Sequence, residues 1–553
     1  VVAKNSIVLP LTDNPVVLVF EPFFAACSLA RRETIMDIFQ SAEAAASVGM
    51  TAAFYAARKP EQIAVHSYAG SCSWAELNHK ANQLTRLFRD LGLQPDDAIA
   101  IVSSNRLEFA QVFMAAIRSG VRVTPINWHL TGEEVGYIVD NCGARIFLAD
   151  ARFGGASREA LGMSGEVIKA LAFGGDIEGF ESYEETLSAY SGEDISDPVL
   201  GGSMLYTSGT TGRPKGVYRK EKVPLMPSET YADADDHVAL CTGPAYHAAP
   251  LLIDVMTPLV SGVPIVFMDR WDPEETLRLI HEQQVTHCHM VATMFHRLLQ
   301  LPDEVKARYD ISSLREIVHG AAPCPVHVKH AMIEWFGPVL LEYYAATEGG
   351  GGFLIDSHEW LKKPGSVGKA PPEFDNRLLD DEGNPVVQGE VGTIYFRAPD
   401  VGRFEYFKDE DKTSSAYRGD YFTLGDMGYL DEDGYLFLTG RTAELIISGG
   451  VNIYPQEIDS EIMKHEAVLD ICTIGVPNDE WGEEVKSVVL LKAGYEPSDG
   501  LAESLKDFAR SRLPAFKCPR SIDFAEDLPR LPTGKIQRRL VREPYWAGRD
   551  KQI

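Results

Sequence analysis

The sequence predicts an α/β protein: a large N-terminal domain of two α/β subdomains plus a small β-barrel-like unit, followed by a small C-terminal α+β domain. Three observations predict it. Apolar strands alternate with amphipathic helices over residues 50–150 and again over 252–341, and such alternation implies right-handed crossovers and largely parallel, buried sheets. Between residues 376 and 440 the pattern turns to short strands parted by Gly, Asp and Pro turns (DDEGNP, LDEDGY), which suits a small antiparallel unit. From residue 445 strand and helix return. A chain of 553 residues also exceeds the size at which one hydrophobic core keeps growing.

Taken in order, a helical AAFYAARKP leads from Met50 into the strand QIAVHSY. The next segment opens on Ser73 with Glu76 three residues on, a capping box, and carries Leu77, Ala81, Leu84, Phe88 and Leu91 on one helical stripe. Strand 97–103, helix 107–119, strand 121–126, a helix opened by Thr131 and Glu134, and strand 144–150 follow. Residues 151–200 are rich in Gly, Ser and Glu with weak periodicity and read as connecting structure. The second alternation holds VPIVFM (263–268), a helix after Asp272-Pro273, the apolar stretch HCHMVATMFHRLLQL and REIVHG (315–320). Residues 1–49 precede the recognisable pattern and are expected to be an extension whose removal leaves activity intact. Glu21-Pro22 interrupts their apolar run, which argues against an export signal.

Composition narrows the function classes. Hydrophobic residues at 45% and charged residues at 24% are ordinary for a globular chain. A formal net charge of -28 repels a nucleic-acid backbone, so no nucleic-acid partner is expected. The 8 cysteines include no C-x-x-C pair, which fits reduced thiols in a cytoplasm better than disulfides or a zinc site. His287 and His289 have neither the spacing nor the company for a metal. The chain offers no uninterrupted apolar run of the roughly eighteen residues that span a bilayer. A cytoplasmic protein is therefore expected.

LYTSGTTGRPKGV (205–217) carries the strongest local signal. Its glycines let backbone N–H groups converge, its hydroxyls add donors and Lys215 adds charge, a combination suited to a polyphosphate. It is not a Walker A loop: counting from Gly209 places Pro214 where the second glycine of G-x-x-x-x-G-K-[ST] belongs.

This run resembles the phosphate loop of the adenylate-forming superfamily, which includes acyl-CoA synthetases, peptide-synthetase adenylation domains and firefly-type luciferases. The resemblance continues in order through PAYHAAP (244–250), HGAAPCP (319–325), YYAATEGGGG (343–352), YFTLGDMGYLDEDGY (421–435), TGRTAELIISGGVNIYPQEID (439–459), GVPNDEWGEEVKSVVLL (475–491) and LPRLPTGKIQRR (528–539). It implies an adenylation domain over 50–440, a hinge at 441–444 and a mobile C-terminal lid over 445–553 that carries the catalytic lysine.

By this resemblance Thr207, Ser208, Gly209, Thr210, Thr211, Gly212 and Lys215 hold the phosphates of ATP. Thr347 contacts phosphate, and Glu348 holds Mg2+ together with Thr207. A single glutamate suffices, because magnesium on phosphates takes one or two carboxylates and otherwise water. Gly320, Ala321 and Ala322 form the adenine slot with Tyr344, flanked by Glu342 and Tyr343. Asp426 grips the ribose hydroxyls with Arg441 as its partner. Lys535 bridges the substrate carboxylate and the α-phosphate, where negative charge gathers and a fixed cationic donor is typically worth about 10²–10³ in rate. Tyr246, His247 and Ala345 border the acyl group, and Ser448, Gly449 and Gly450 meet the pantetheine arm of coenzyme A after the lid rotates. Three departures stand out: Ala443 at the hinge, Ala345 where the family carries glycine, and Leu424 where threonine is common.

The implied activity is that of an AMP-forming acyl-CoA synthetase acting on a medium- or long-chain fatty acid. The expected partners are a small-molecule carboxylic acid, ATP and coenzyme A, with a homodimer allowed for. Gly349–Gly352 are expected to leave side-chain-free volume near the carboxylate, and Val291, Met294 and Phe295 to line a tunnel. An aryl or steroid-type acid, a carrier-protein acceptor, a luciferase-like oxygenase and a non-catalytic nucleotide-binding protein are the alternatives.

Overall fold

The structure, a computed structural model, describes residues 40–207, 214–441, 444–448, 451–478, 480–531 and 534–547. Among them, an eight-stranded sheet runs in the order Gly349–Asp356, Leu340–Ala346, Glu316–His319, His287–Met290, Ala239–Cys241, Ile265–Phe267, Ile63–Ser67, Gly70–Ser73. Its inner pairings are parallel, and antiparallel hairpins close both edges. A six-stranded sheet, Glu181–Ser182, Lys169–Phe173, Ala144–Asp150, Ala98–Val102, Arg122–Ile126, Gly202–Ser203, is parallel throughout. Every residue of Ala98–Val102 is buried, as expected of a parallel strand covered on both faces.

The helices begin where side chains can satisfy their free N–H groups. Ser73 accepts from the backbone of Glu76 at 3.3 Å while Glu76 accepts from the backbone of Ser73 at 2.7 Å. Thr131 and Glu134 repeat this reciprocal arrangement at 3.4 and 2.8 Å. Asp272 caps Pro273–Gln283 through the Glu275 N–H at 2.9 Å, with Pro273 in the first turn where its missing N–H costs nothing.

Two regions differ from the sequence reading. Residues 151–200 are more than a connection: helix Gly154–Met163 and helix Tyr183–Ser188 flank strand Lys169–Phe173, which supplies buried Ala170, Leu171 and Phe173 to the parallel sheet. That strand is five residues long, too short for periodicity to separate it from its polar flanks. Part of the expected extension also folds onto the domain. Helix Ala42–Ser47, capped by Ser41, buries Ala45 and Ala46, and a side chain at Gly49 would strike the backbone of Ile117.

Antiparallel structure follows. Phe404–Tyr406, Lys215–Arg219 and Leu205–Thr207 form a three-stranded sheet. Arg377–Leu379, Gly392–Arg397, Tyr421–Leu430 and Tyr417–Arg418 form another, with Leu436–Arg441 paired to Tyr421–Leu430. A shared apolar cluster including Val217, Tyr344, Phe396, Phe404 and Phe422 joins them to the large sheet. The C-terminal sheet orders Val451–Ile453, Ile446–Ser448, Gly482–Leu491 and Val468–Asn478, with Ser521–Ala525 parallel to Gly482–Leu491. Among the described residues no helix is long and apolar enough to cross a membrane.

Candidate active site

Strands Glu316–His319 and Leu340–Ala346 pair in parallel, so their carboxyl ends emerge side by side, the place where open α/β sheets bind ligands. The first strand runs into Gly320 and Ala321. A Cβ on Gly320 would lie 2.6 Å from the Tyr343 ring, so only glycine fits. Ala321 takes φ +64°, a left-handed conformation that is strained for a residue with a side chain. The second strand ends in Thr347-Glu348, a two-residue turn closed by the Ala346–Gly349 pair.

Two groups fix that turn from outside the sheet. Arg219 donates to the carbonyls of Thr347 and Glu348 at 3.1 and 2.8 Å. Tyr406 donates its hydroxyl to Glu348 Oε1 at 3.0 Å. Burial lowers the pKa of Arg219 and raises that of Tyr406, whose neighbour Glu348 pushes the same way. Both donors stand in the three-stranded sheet or beside it, which ties the turn to the 205–219 hairpin.

A second constellation centres on Asp426, which is 8% exposed. Asp426 and Arg441 are cross-strand partners, and Arg441 Nε donates to Asp426 Oδ1 at 2.6 Å. Tyr344 donates its hydroxyl to the other oxygen at 2.7 Å. Burial, followed by the Asp426 charge, holds the Tyr344 hydroxyl protonated. Arg441 keeps its charge against burial because Asp426 and Glu444 face it.

Lys535 arrives from the C-terminal unit. Its loop is a tight turn, with Leu531 N–H bonded to the Lys535 carbonyl at 2.8 Å and Gly534 N–H to the Leu531 carbonyl at 2.8 Å. Arg530 braces it by pairing with Asp470 and donating to the Gly534 carbonyl. Gly534, at φ +79°, lies against Thr293 of helix Ala292–Leu299, where any Cβ would collide with the threonine hydroxyl. Burial lowers the Lys535 pKa and nearby Arg441 lowers it further, while Glu444 and Asp426 oppose them. The lysine thus stands in the field of the Asp426–Arg441 pair.

His247 leads into Pro250–Met256, a π-helical segment of the kind often found at functional sites. Burial and the neighbouring His129 depress its pKa to about 4, so the ring is neutral at pH 7. Its Nε2 is buried with no hydrogen-bond partner among the described residues. Tyr246 packs against it at 4.5 Å between ring centres and contacts His129 Nδ1 through its hydroxyl at 3.3 Å. Ala249 and Ala345 pack against a buried cluster of Ile253, Val318 and Tyr343.

Several expected site residues have partners of their own within the protein. Glu342 faces Lys329 at 2.6 Å in a buried pair. Successive strand residues point to opposite faces, so Tyr343 departs from Tyr344 and contacts His289 Nε2 through its hydroxyl at 3.2 Å. Lys215 pairs with Asp409 at 2.9 Å, while its cross-strand neighbour is Thr207. Val291, Met294 and Phe295, expected along a tunnel, pack with Leu298, Val328 and Met332 in the core. Gly350 and Gly352 are filled rather than open, since a Cβ would meet the rings of Phe396 at 2.9 Å and Phe374 at 2.7 Å. Ser448 pairs with Val451 and Gly482. Ser208, Gly209, Thr210, Thr211, Gly212, Gly449 and Gly450 lie outside the described residues, as do Thr442 and Ala443 of the hinge.

Arg219, Tyr406 and Thr293 escaped the sequence reading. Arg219 follows the phosphate-loop motif closely enough to be suspected from its charge, whereas Tyr406 and Thr293 reach the site only through the fold.

Residues 53–404 match the AMP-binding enzyme family and residues 457–535 the AMP-binding enzyme C-terminal domain. The long-chain-fatty-acid–CoA ligase FadD13 of Mycobacterium tuberculosis is 30% identical over 490 residues, covering 86% of this chain and 93% of its own. The 2-succinylbenzoate–CoA ligase of Geobacillus kaustophilus is 32% identical over 489 residues, covering 87% and 95%. The crystal structure of ATP-bound MatB from Rhodopseudomonas palustris superposes with a TM-score of 0.75 at 28% identity, covering 87% of this chain and 95% of that one. With both parts of the family matched in order around one site, the chain belongs to the AMP-binding enzymes, as an acid–thiol ligase.

Proposed function

We propose that this chain is an AMP-forming acyl-CoA synthetase acting on a medium- or long-chain acid with an apolar body. The observation that carries the reading is Lys535, which the C-terminal unit delivers into the field of Asp426 and Arg441. In the first half-reaction a carboxylate oxygen of the acid attacks the α-phosphorus of ATP, the bond to the β-phosphate breaks and pyrophosphate leaves with the electron pair. Lys535 stabilises the charge on the α-phosphate and carboxylate oxygens. Asp426 accepts from the ribose hydroxyls and is held for that task by Arg441 and Tyr344.

Glu348 and Thr207 are the residues that would hold magnesium, which when bound screens phosphate charge. Glu348 offers one carboxylate held by Tyr406 at Oε1. No group of three or more His, Cys, Asp or Glu suited to a metal exists among the described residues, so most ligands would be phosphate and water. The neutral His247 borders the acid's carboxylate, where a ring N–H donates a hydrogen bond without adding charge. The apolar seat is the Ile253–Val318–Tyr343 cluster with Ala249 and Ala345. ATP and coenzyme A as co-substrates fit a cytoplasmic setting.

In the second half-reaction the thiol sulfur attacks the acyl carbon, the bond to AMP breaks and the thiol proton passes to solvent. Rotation of the C-terminal unit would replace Lys535 by the Ser448 edge. Coenzyme A is favoured as acceptor because Ser448 pairs with Gly482, next to Trp481, an indole 42% exposed with Arg520 at 5.9 Å from its ring. An exposed indole beside a guanidinium suits a phosphorylated nucleotide handle.

The test is pyrophosphate exchange and coenzyme-A-dependent AMP release with ATP and magnesium, across short, medium and long fatty acids, benzoate and a steroid acid. Matching exchange and acyl-CoA formation for one class is expected. Exchange without turnover on coenzyme A would point to a carrier-protein acceptor, and no exchange with any acid would overturn adenylation.

A further inference from the structure

Beside the acid seat lies a small, mostly apolar cavity with a few polar groups that the adenylation chemistry does not use. It measures about 20 Å³, and Tyr231, Asp254, Thr230, His287 and Glu316 line it together with Ile253 and Val318. The last two residues also belong to the apolar cluster containing Tyr343, so the cavity adjoins the seat. Asp254 stands seven residues beyond His247, within the π-helical segment Pro250–Met256.

Asp254 is 1% exposed. One oxygen accepts the backbone N–H of His289 at 2.7 Å, while Oδ2 is buried with no hydrogen-bond partner among the described residues. Thr230 Oγ1, on the same cavity, is likewise buried and unpartnered. Burial raises the Asp254 pKa well above the carboxylate range, against the His289 hydrogen bond, so the group is a neutral acid able to donate. Leaving such groups unsatisfied costs about 1–3 kcal/mol each. Leucine and valine would fill the same space without that cost. A partner for them is therefore the economical explanation, and a volume of this size admits one oxygen atom or one water.

We propose that Asp254 and Thr230 are specificity residues that bind a carbonyl or hydroxyl oxygen at the end of the acid remote from its carboxylate, favouring such acids over plain alkyl acids of equal length. The inference rests on the reading that the acid's carboxylate lies beside His247 and Lys535. Asp254 Oδ2–H donates to the distal oxygen, and the Thr230 hydroxyl rotates to donate or accept. No covalent step is involved.

The experiment is pyrophosphate exchange with octanoate, its terminal hydroxy acid and its analogue bearing a methyl ketone at the far end, in the full chain. Wild type is expected to favour an oxygen-bearing acid by about tenfold or more in kcat/KM. Asp254→Leu is expected to reduce that ratio to about one or invert it. Asp254→Asn, which keeps one acceptor for His289 and one donor for substrate, is expected to retain most of it. Thr230→Val, with a smaller effect expected, keeps the test informative should Asp254→Leu fail to fold. Exchange with equal or better use of octanoate by wild type would overturn this inference alone, as would a preference untouched in Asp254→Leu or, failing that protein, in Thr230→Val. Absence of exchange with every acid would overturn the adenylation reading and this inference with it.

Discussion

Single side chains in this site work through what holds them. Tyr406 touches Glu348 by one hydrogen bond, at 3.0 Å. Tyr406→Phe is expected to raise the KM for magnesium-ATP roughly tenfold, the scale of a hydrogen bond to a charged group, with an unchanged melting temperature; an unchanged KM would show that Glu348 is positioned without it. Lys535→Ala is expected to suppress pyrophosphate exchange by about 10²-fold or more and to spare thioester formation from a supplied acyl adenylate. Equal loss in both steps would contradict the two-arrangement mechanism. Glu316 gives a stability signature. Burial raises its pKa to about 7, so folding retains a proton that the unfolded chain releases near pH 4.5. Its stabilising contribution is present below pH 4.5 and is lost as pH rises through about 7. Glu316→Gln is therefore expected to melt higher relative to wild type at pH 8 than at pH 5, by the equivalent of about 3 kcal/mol; parallel melting temperatures at both pH values would refute the assignment.

At the scale of elements, the turn carrying Lys535 depends on a glycine. Gly534 combines φ +79° with close approach to Thr293, so the loop can dock on helix Ala292–Leu299 only without a Cβ. Gly534→Ala is expected to cut pyrophosphate exchange by tenfold or more, and Thr293→Ala in the same chain to recover part of that loss, because it removes the colliding hydroxyl. Simple additivity of the two substitutions would place the defect inside the turn instead. The alternation of strand faces is equally decisive. Adjacent residues Tyr343 and Tyr344 share a ring type and diverge in use, one toward His289 and the apolar seat, the other toward Asp426. Their order in the chain carries no sign of this divergence, because neighbours in sequence point to opposite faces of a strand.

For the whole molecule, helix Ala292–Leu299 and the C-terminal unit meet where Thr293 receives Gly534, and helix Ala42–Ser47 packs on the N-terminal domain ahead of residue 50. A chain beginning at Met50 forfeits Ala45, Ala46 and the bond from Met50 N–H to the Ala45 carbonyl at 2.8 Å. It is expected to lose on the order of 1–2 kcal/mol of stability, read as a lower melting temperature with activity surviving in the cold; equal melting temperatures would show that helix Ala42–Ser47 adds nothing to the fold. By itself the sequence determined the α/β class, the capping boxes at Ser73 and Thr131, and the family, because periodicity, short-range hydrogen bonds and ordered motifs are local properties of the chain. Only the tertiary structure decided that Glu342 serves Lys329, that Tyr406 and Arg219 hold the Thr347-Glu348 turn, that Phe396 and Phe374 fill the glycine run, and that Asp254 faces a cavity. Each of these is set by which face of a strand or helix turns inward when different elements pack, and no spacing within one segment encodes its partner.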